Sequence, residues 1–145
     1  MATFNKINNF VENLAHGVHN FSSATIKVVL IANDPSSLST YSQIQSSGGE
    51  LGSANGYTQG NKALTSVTSS QTGGTYKLDA QDVTFTASGG DLGGTGDVFR
   101  YVVLYDDSAT NKNVIGYYDY GSNLTIADGN SFSVTFDSSG ILTIT

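Results

Sequence analysis

The run Val98-Phe-Arg-Tyr-Val-Val-Leu-Tyr105 is apolar or aromatic at every position but one. An eight-residue strand of this kind is stable only when both of its faces are covered. It therefore predicts a central strand in a layered β fold, and the neighbouring sequence agrees. Val83, Phe85 and Ala87 alternate with Thr84 and Thr86, and Phe132, Val134 and Phe136 alternate with Ser133 and Thr135. Period-two patterns of this sort mark strands with one buried and one wet face. Thr25–Ile31 is a further β-branched run, stopped by Asn33-Asp34-Pro35. With it, strands are expected at 63–69, 74–79, 82–88, 97–106, 113–120, 122–127, 131–136 and 140–145. Asp128-Gly129 and Ser139-Gly140 supply turns. The expected fold is mainly β: one domain over 1–145, built as a two-sheet antiparallel sandwich.

Two segments stand apart from this pattern. In residues 1–22, Phe4, Ile7, Val11, Leu14, Val18 and Phe21 recur at spacings of three and four. That spacing predicts an N-terminal amphipathic helix, with Thr3 as N-cap and Gly17 weakening its last turn. The stripe either packs on the sheet or forms an arm that meets a neighbouring subunit. Residues 33–62 are rich in Ser, Gly, Gln and Asn, with isolated Leu38, Tyr41, Ile44, Leu51 and Tyr57. This stretch reads as a long polar loop, either anchored by those residues or partly disordered.

Charge narrows the choice of partners. Twelve acidic residues against six basic ones give a net charge of −6. The cations Lys6, Lys27, Lys62, Lys77, Arg100 and Lys112 are scattered, so no basic stripe offers itself to nucleic acid. No apolar run reaches the length of a membrane span, and no leader-like segment opens the chain. Cysteine is absent, which removes disulfides and thiolate chemistry and suits folding in a reducing cytoplasm.

Catalytic signatures are weak. His16 and His19 are the only histidines; with Glu12 they would share one helical face, where a solvated surface is the simpler reading than a zinc site. No nucleophile elbow occurs, and a Ser-His-Asp triad would need a histidine near the sheet. Asp79 with Asp82, Asp91 with Asp97, and Asp106 with Asp107 fall at turns or strand ends, where aspartate serves the backbone. Gly89-Gly-Asp-Leu-Gly-Gly-Thr-Gly96 lacks the lysine and the following helix of a phosphate loop. Asp91 and Asp97 could bracket a calcium ion. Tyr101, Tyr105, Tyr117, Tyr118 and Tyr120 suit core packing, a subunit interface or a sugar platform. No catalytic, cofactor or metal residue is assigned. Phe4, Ile7, Val11, Leu14, Val18, Tyr117, Tyr118 and Tyr120 are the candidate interface residues.

Several runs also carry a resemblance. Val98-Phe-Arg-Tyr-Val-Val-Leu-Tyr-Asp-Asp107, Val114-Ile-Gly-Tyr-Tyr-Asp-Tyr-Gly121 and Leu124-Thr-Ile-Ala-Asp-Gly-Asn-Ser-Phe132 are similar to runs in small structural proteins of tailed bacteriophages. So are Ala54–Gly60, Tyr76–Phe85 and the opening Phe4–Leu14. The likeness implies a capsid cement or decoration protein with a jelly-roll fold. Such a protein would be made in the host cytoplasm and would bind the outer surface of the major capsid protein shell between capsomers, as a homo-oligomer (dimer or trimer). It implies no catalytic residue. A tail, neck or fibre-associated protein, and a carbohydrate-binding module, are the competing readings. EDTA is expected to leave the melting temperature of the purified chain unchanged, and a large fall would expose a bound cation at the Asp91–Asp97 loop.

Overall fold

The computed structural model describes residues 2–145. Its strands, in chain order, are β1 (Phe4–Lys6), β2 (Ile26–Ile31), β3 (Lys62–Ala63), β4 (Thr68–Thr72), β5 (Thr75–Asp79), β6 (Val83–Thr86), β7 (Phe99–Asp106), β8 (Val114–Leu124), β9 (Ser131–Val134) and β10 (Leu142–Ile144). Two helices, α1 (Phe10–Ala15) and α2 (Tyr41–Gln43), are short, and α2 runs on into a π-helical turn over Ile44–Gly48. The strand pairings are antiparallel and make sheets ordered β1-β8-β7-β2-β3, β10-β5-β4 and β6-β9. The chain is thus mainly β, as expected, and consistent with a sandwich. Sheets of five, three and two strands differ from the two four-stranded sheets of a jelly roll.

The pair β2–β7 forms the centre. Its register sets Val28 opposite Leu104 and Leu30 opposite Val102, with Val29 opposite Val103 and Ile31 opposite Tyr101 on the alternate face. All eight of these side chains are buried. The first face looks toward the smaller sheets, where Leu78, Val83, Phe85, Val134 and Phe136 join one continuous core. The second face is covered by the segment after β2: the Tyr41 ring stacks on Tyr105 at 4.6 Å, and Ile44 is fully buried.

The polar stretch 33–62 therefore carries its own anchors, one of the two alternatives the sequence left open. Its fastening is Glu50, which lies beside the edge of β2 in a bridge with Ile31. The Glu50 carboxylate accepts the Tyr41 hydroxyl at 2.9 Å, the Tyr57 hydroxyl at 2.8 Å and the Gly60 N–H at 2.9 Å. Tyr57 also accepts the Leu30 N–H at 3.0 Å, and its ring packs against Phe85. Tyr41 and Tyr57 thus grip opposite faces of the sheet, and one carboxylate joins them round its edge.

Several expectations need correction. The N-terminal amphipathic helix over 1–22 is not formed: Phe4–Lys6 is a strand, and only Phe10–Ala15 is helical. Asn9, not Thr3, holds the N-cap position, without a side-chain capping bond. The helix ends at Gly17, whose φ of 73° suits glycine. There the Gly17 N–H bonds to the Leu14 carbonyl and the Val18 N–H to the Asn13 carbonyl, the paired closure of a Schellman ending. The apolar stripe is accordingly divided. Ile7, Phe10 and Phe21 are buried, Leu14 and Val18 are half-buried, and Val11 is 53% exposed. The expected strand 63–69 separates into β3 and β4, while 113–120 and 122–127 fuse into the single strand β8.

The histidines also part company. His16 is exposed near Glu12, but His19 is buried, its ring clustered with those of Phe10 and Phe21 at 5.7 and 5.4 Å. His19 Nδ1 donates to Asp106 Oδ2 at 2.9 Å, and Asp106 Oδ1 accepts the Ser108 N–H. This pair fastens the N-terminal segment to the end of β7. Removing one member of a buried hydrogen-bonded pair strands the other. Asp106→Ala is expected to lower the unfolding free energy by about 3 kcal/mol in urea denaturation, and a loss under about 1 kcal/mol would show that the pair is no fastening.

Candidate functional site

The candidate interface residues come from two distant parts of the chain, and β1 brings several of them together. It pairs with β8 so that Phe4 lies opposite Tyr118, Asn5 opposite Tyr117 and Lys6 opposite Gly116. The Phe4 and Tyr118 rings meet edge to face at 5.5 Å. Gly116 permits this approach, because a Cβ there would collide with the Asn5 carbonyl oxygen and the Phe4 ring. Sequence reasoning missed Gly116; its only signal is a glycine inside an apolar strand, which marks a close backbone approach.

Alternation on β8 then separates the tyrosines. Tyr118 and Tyr120 share a face with Phe4, and Tyr120 packs edge to face on Phe132 at 6.3 Å. Tyr117 lies on the opposite face against Tyr101 at 6.0 Å. It is therefore not part of the surface that Phe4 joins. Ile7 is core, and Val18 lies apart from this surface, whereas Val11 and Leu14 border it.

The resulting surface is an apolar strip along one side of the sandwich. At one end Tyr118, Tyr120, Phe132 and Val134 line a hollow of about 250 Å³ that also touches Ala2. A hollow of about 240 Å³ beside Ala2, Thr3, Phe4, Tyr118, Asp137 and Ile141 continues it and is more polar. At the other end a groove of about 680 Å³ runs between β1 and β10, floored by Phe10, Val11 and Leu14. Among the described residues, the large apolar side chains left exposed are Val11, Val98, Tyr120 and Ile144. All but Val98 lie on this strip, so exposed apolar surface is concentrated here rather than scattered.

Electrostatics leaves the strip nearly uncharged. Asp34, Asp82, Asp91, Asp97, Asp128 and Asp137 each accept a backbone N–H at a turn or strand end. Asp107 holds Lys27 at 3.1 Å and Lys112 at 3.0 Å, and Asp119 holds Arg100 at 2.8 Å. The Arg100 bond keeps the Asp119 carboxyl below its ordinary range. Burial, aided by the charges of Asp79 and Asp137, pushes the Tyr118 hydroxyl above its ordinary value. It stays neutral at physiological pH, so it adds no anion to the Asp137 carboxylate beside it. Among the described residues, no group of three or more His, Cys, Asp or Glu side chains is placed to hold a metal ion. No helix among them is long and apolar enough to cross a membrane.

Comparison with known protein families, curated proteins and solved structures gives no match. The site is thus described by its own geometry, an apolar strip whose continuity depends on β1 lying flat on β8. Gly116→Val is expected to lift β1 away. The amides of Asn5 and Ile7, which face β8, would then exchange with solvent rapidly while those of β7 stay protected. Unchanged protection of the Asn5 and Ile7 amides in hydrogen exchange would contradict the close-approach role of Gly116.

Proposed function

We propose that this chain is a virion structural protein of a tailed bacteriophage. In this reading it is a capsid cement protein that binds the outer surface of the major capsid shell and stabilises contacts between capsomers as a homodimer or homotrimer. The observation that carries the reading is the mainly apolar strip from Tyr120 and Phe132 to Val11 and Ile144 on an acidic protein. Concentrated exposed apolar surface of this kind is the mark of a contact surface. The likeness to phage structural proteins names the class of assembly. The jelly-roll part of that likeness is kept only as a two-layer antiparallel sandwich.

The physics of a shell supports the role. A head filled with DNA pushes outward, and a clamp between neighbours raises the cost of separating them. Each contact can be modest because the symmetric shell repeats it many times. Net negative charge would keep the free protein dispersed before it meets the shell and would favour the outside of the head over the packaged DNA.

Immunogold electron microscopy of purified particles, with copy number from quantitative mass spectrometry, tests the proposal. Label over the head at on the order of hundreds of copies per particle is expected. Label confined to the tail or neck at about a dozen copies would replace the cement reading with a tail, neck or fibre-associated role. Absence from intact particles would end both.

A further inference from the structure

We infer that the groove between β1 and β10 receives an extended peptide segment of a partner protein, with apolar side chains at alternate positions and a carboxylate that meets Lys6. The inference rests on the assembly reading only for its choice of face. The kind of partner follows from the walls of the groove.

Each wall is the last strand of its sheet: β1 ends the five-stranded sheet and β10 ends the three-stranded one. Both therefore present backbone N–H and C=O groups that no neighbouring strand takes up. An extended chain laid between them can bond to such an edge while its alternate side chains enter the groove. The space of about 680 Å³ lies within the usual range of ligand pockets. Its side-chain surface comes mainly from Phe4, Phe10, Val11, Leu142 and Ile144, which favours apolar insertions over polar ones. Both edges are only three residues long. Backbone pairing alone would then hold a strand weakly, and the side chains must decide affinity and choice of partner.

Charge sets the rest of the specificity. Lys27, Lys77, Arg100 and Lys112 each hold an aspartate, and Lys62 lies over the Phe85 ring at 5.4 Å. Lys6 has neither kind of partner among the described residues, and it lines the groove. A cation at the rim of an apolar groove favours a segment with an acidic residue and discriminates against a basic one. A second copy offering the same face brings another lysine rather than a carboxylate to the groove, so a different chain is the better fit.

The test is selection of binders from a yeast-displayed library of random octapeptides, using the full chain as bait. Enriched peptides should alternate apolar residues and carry Asp or Glu. Binding should fall by about tenfold with Val11→Glu. Lys6→Glu bait should enrich Lys or Arg in place of the acid. Val11 and Lys6 are exposed, so both variants are expected to melt like the parent, which thermal denaturation verifies. No enrichment, or binders indifferent to Val11→Glu, would overturn the groove. Binders that depend on Val11 but keep their acid against Lys6→Glu would overturn the acidic partner. Neither result bears on whether the protein is found in virions, which particle labelling decides separately.

Discussion

Burial of both faces of the β2–β7 pair is the constraint from which the rest of the molecule follows. Two smaller sheets cover one face. The other has no sheet available, so a polar connection must supply side chains to close it. Tyr41 and Ile44 do so, and Glu50 holds the connection in place through two tyrosine hydroxyls and the Gly60 N–H. The same carboxylate leaves Tyr57 free to accept the Leu30 N–H. An unmet buried N–H costs about 1–3 kcal/mol, so the clasp also answers a backbone need of the central strand. Burial beside Glu50 pushes both hydroxyls above their ordinary titration range. They remain donors throughout physiological pH, and the clasp does not loosen there.

Acidity has a structural use in this fold. With one proline in the chain, turns are stabilised by other means. Aspartates accept backbone N–H groups at successive corners, and glycines adopt the positive φ angles those corners require. The negative charges are therefore distributed over the loops. Three of the six cations are neutralised by aspartates on or near the five-stranded sheet, and Lys77 is paired with Asp79 on the three-stranded one. The apolar strip is left with little charge of its own, so contacts made through it should depend more on shape and burial than on ionic strength.

The strands were legible because their signal is local. Val83–Thr86 and Ser131–Val134 show the two-residue alternation directly, and the unbroken run before Asp106 could belong only to a strand covered on both sides. The N-terminal segment misled because its three-and-four spacing fits a helix without requiring one. Its true partner, Gly116, lies more than a hundred residues away in sequence, and no local pattern reports such a pairing. His19 was hidden for a related reason. Read as part of a helix it belongs with His16 at the surface, but Gly17 turns the chain and delivers it to Asp106. The polar loop concealed its order as well, since five isolated apolar and aromatic residues look incidental until Glu50 ties two of them, Tyr41 and Tyr57, to the sheet. That Phe4, Tyr118 and Tyr120 share one surface, bordered by Val11 and Leu14, was visible only once β1 was paired.

That surface is also built so that it does not pair indiscriminately. Long, flat, apolar strand edges promote indiscriminate pairing. Here β1 and β10 are three residues each, β1 carries Lys6, and the exposed apolar side chains sit in hollows beside the edges rather than on a flat face. A stray strand would gain too few backbone bonds to stay, while a partner shaped to fill the hollows would gain buried area as well. Because Gly116 lets β1 lie close to β8, the hollow at Tyr120 and the groove at Ile144 are held in fixed relation across Phe4. A partner that reaches both meets a preformed surface and loses less entropy in ordering it. The shortness of β1 is thus compatible with its importance: it is too small to pair a stray strand alone, yet its position joins the two halves of the apolar strip.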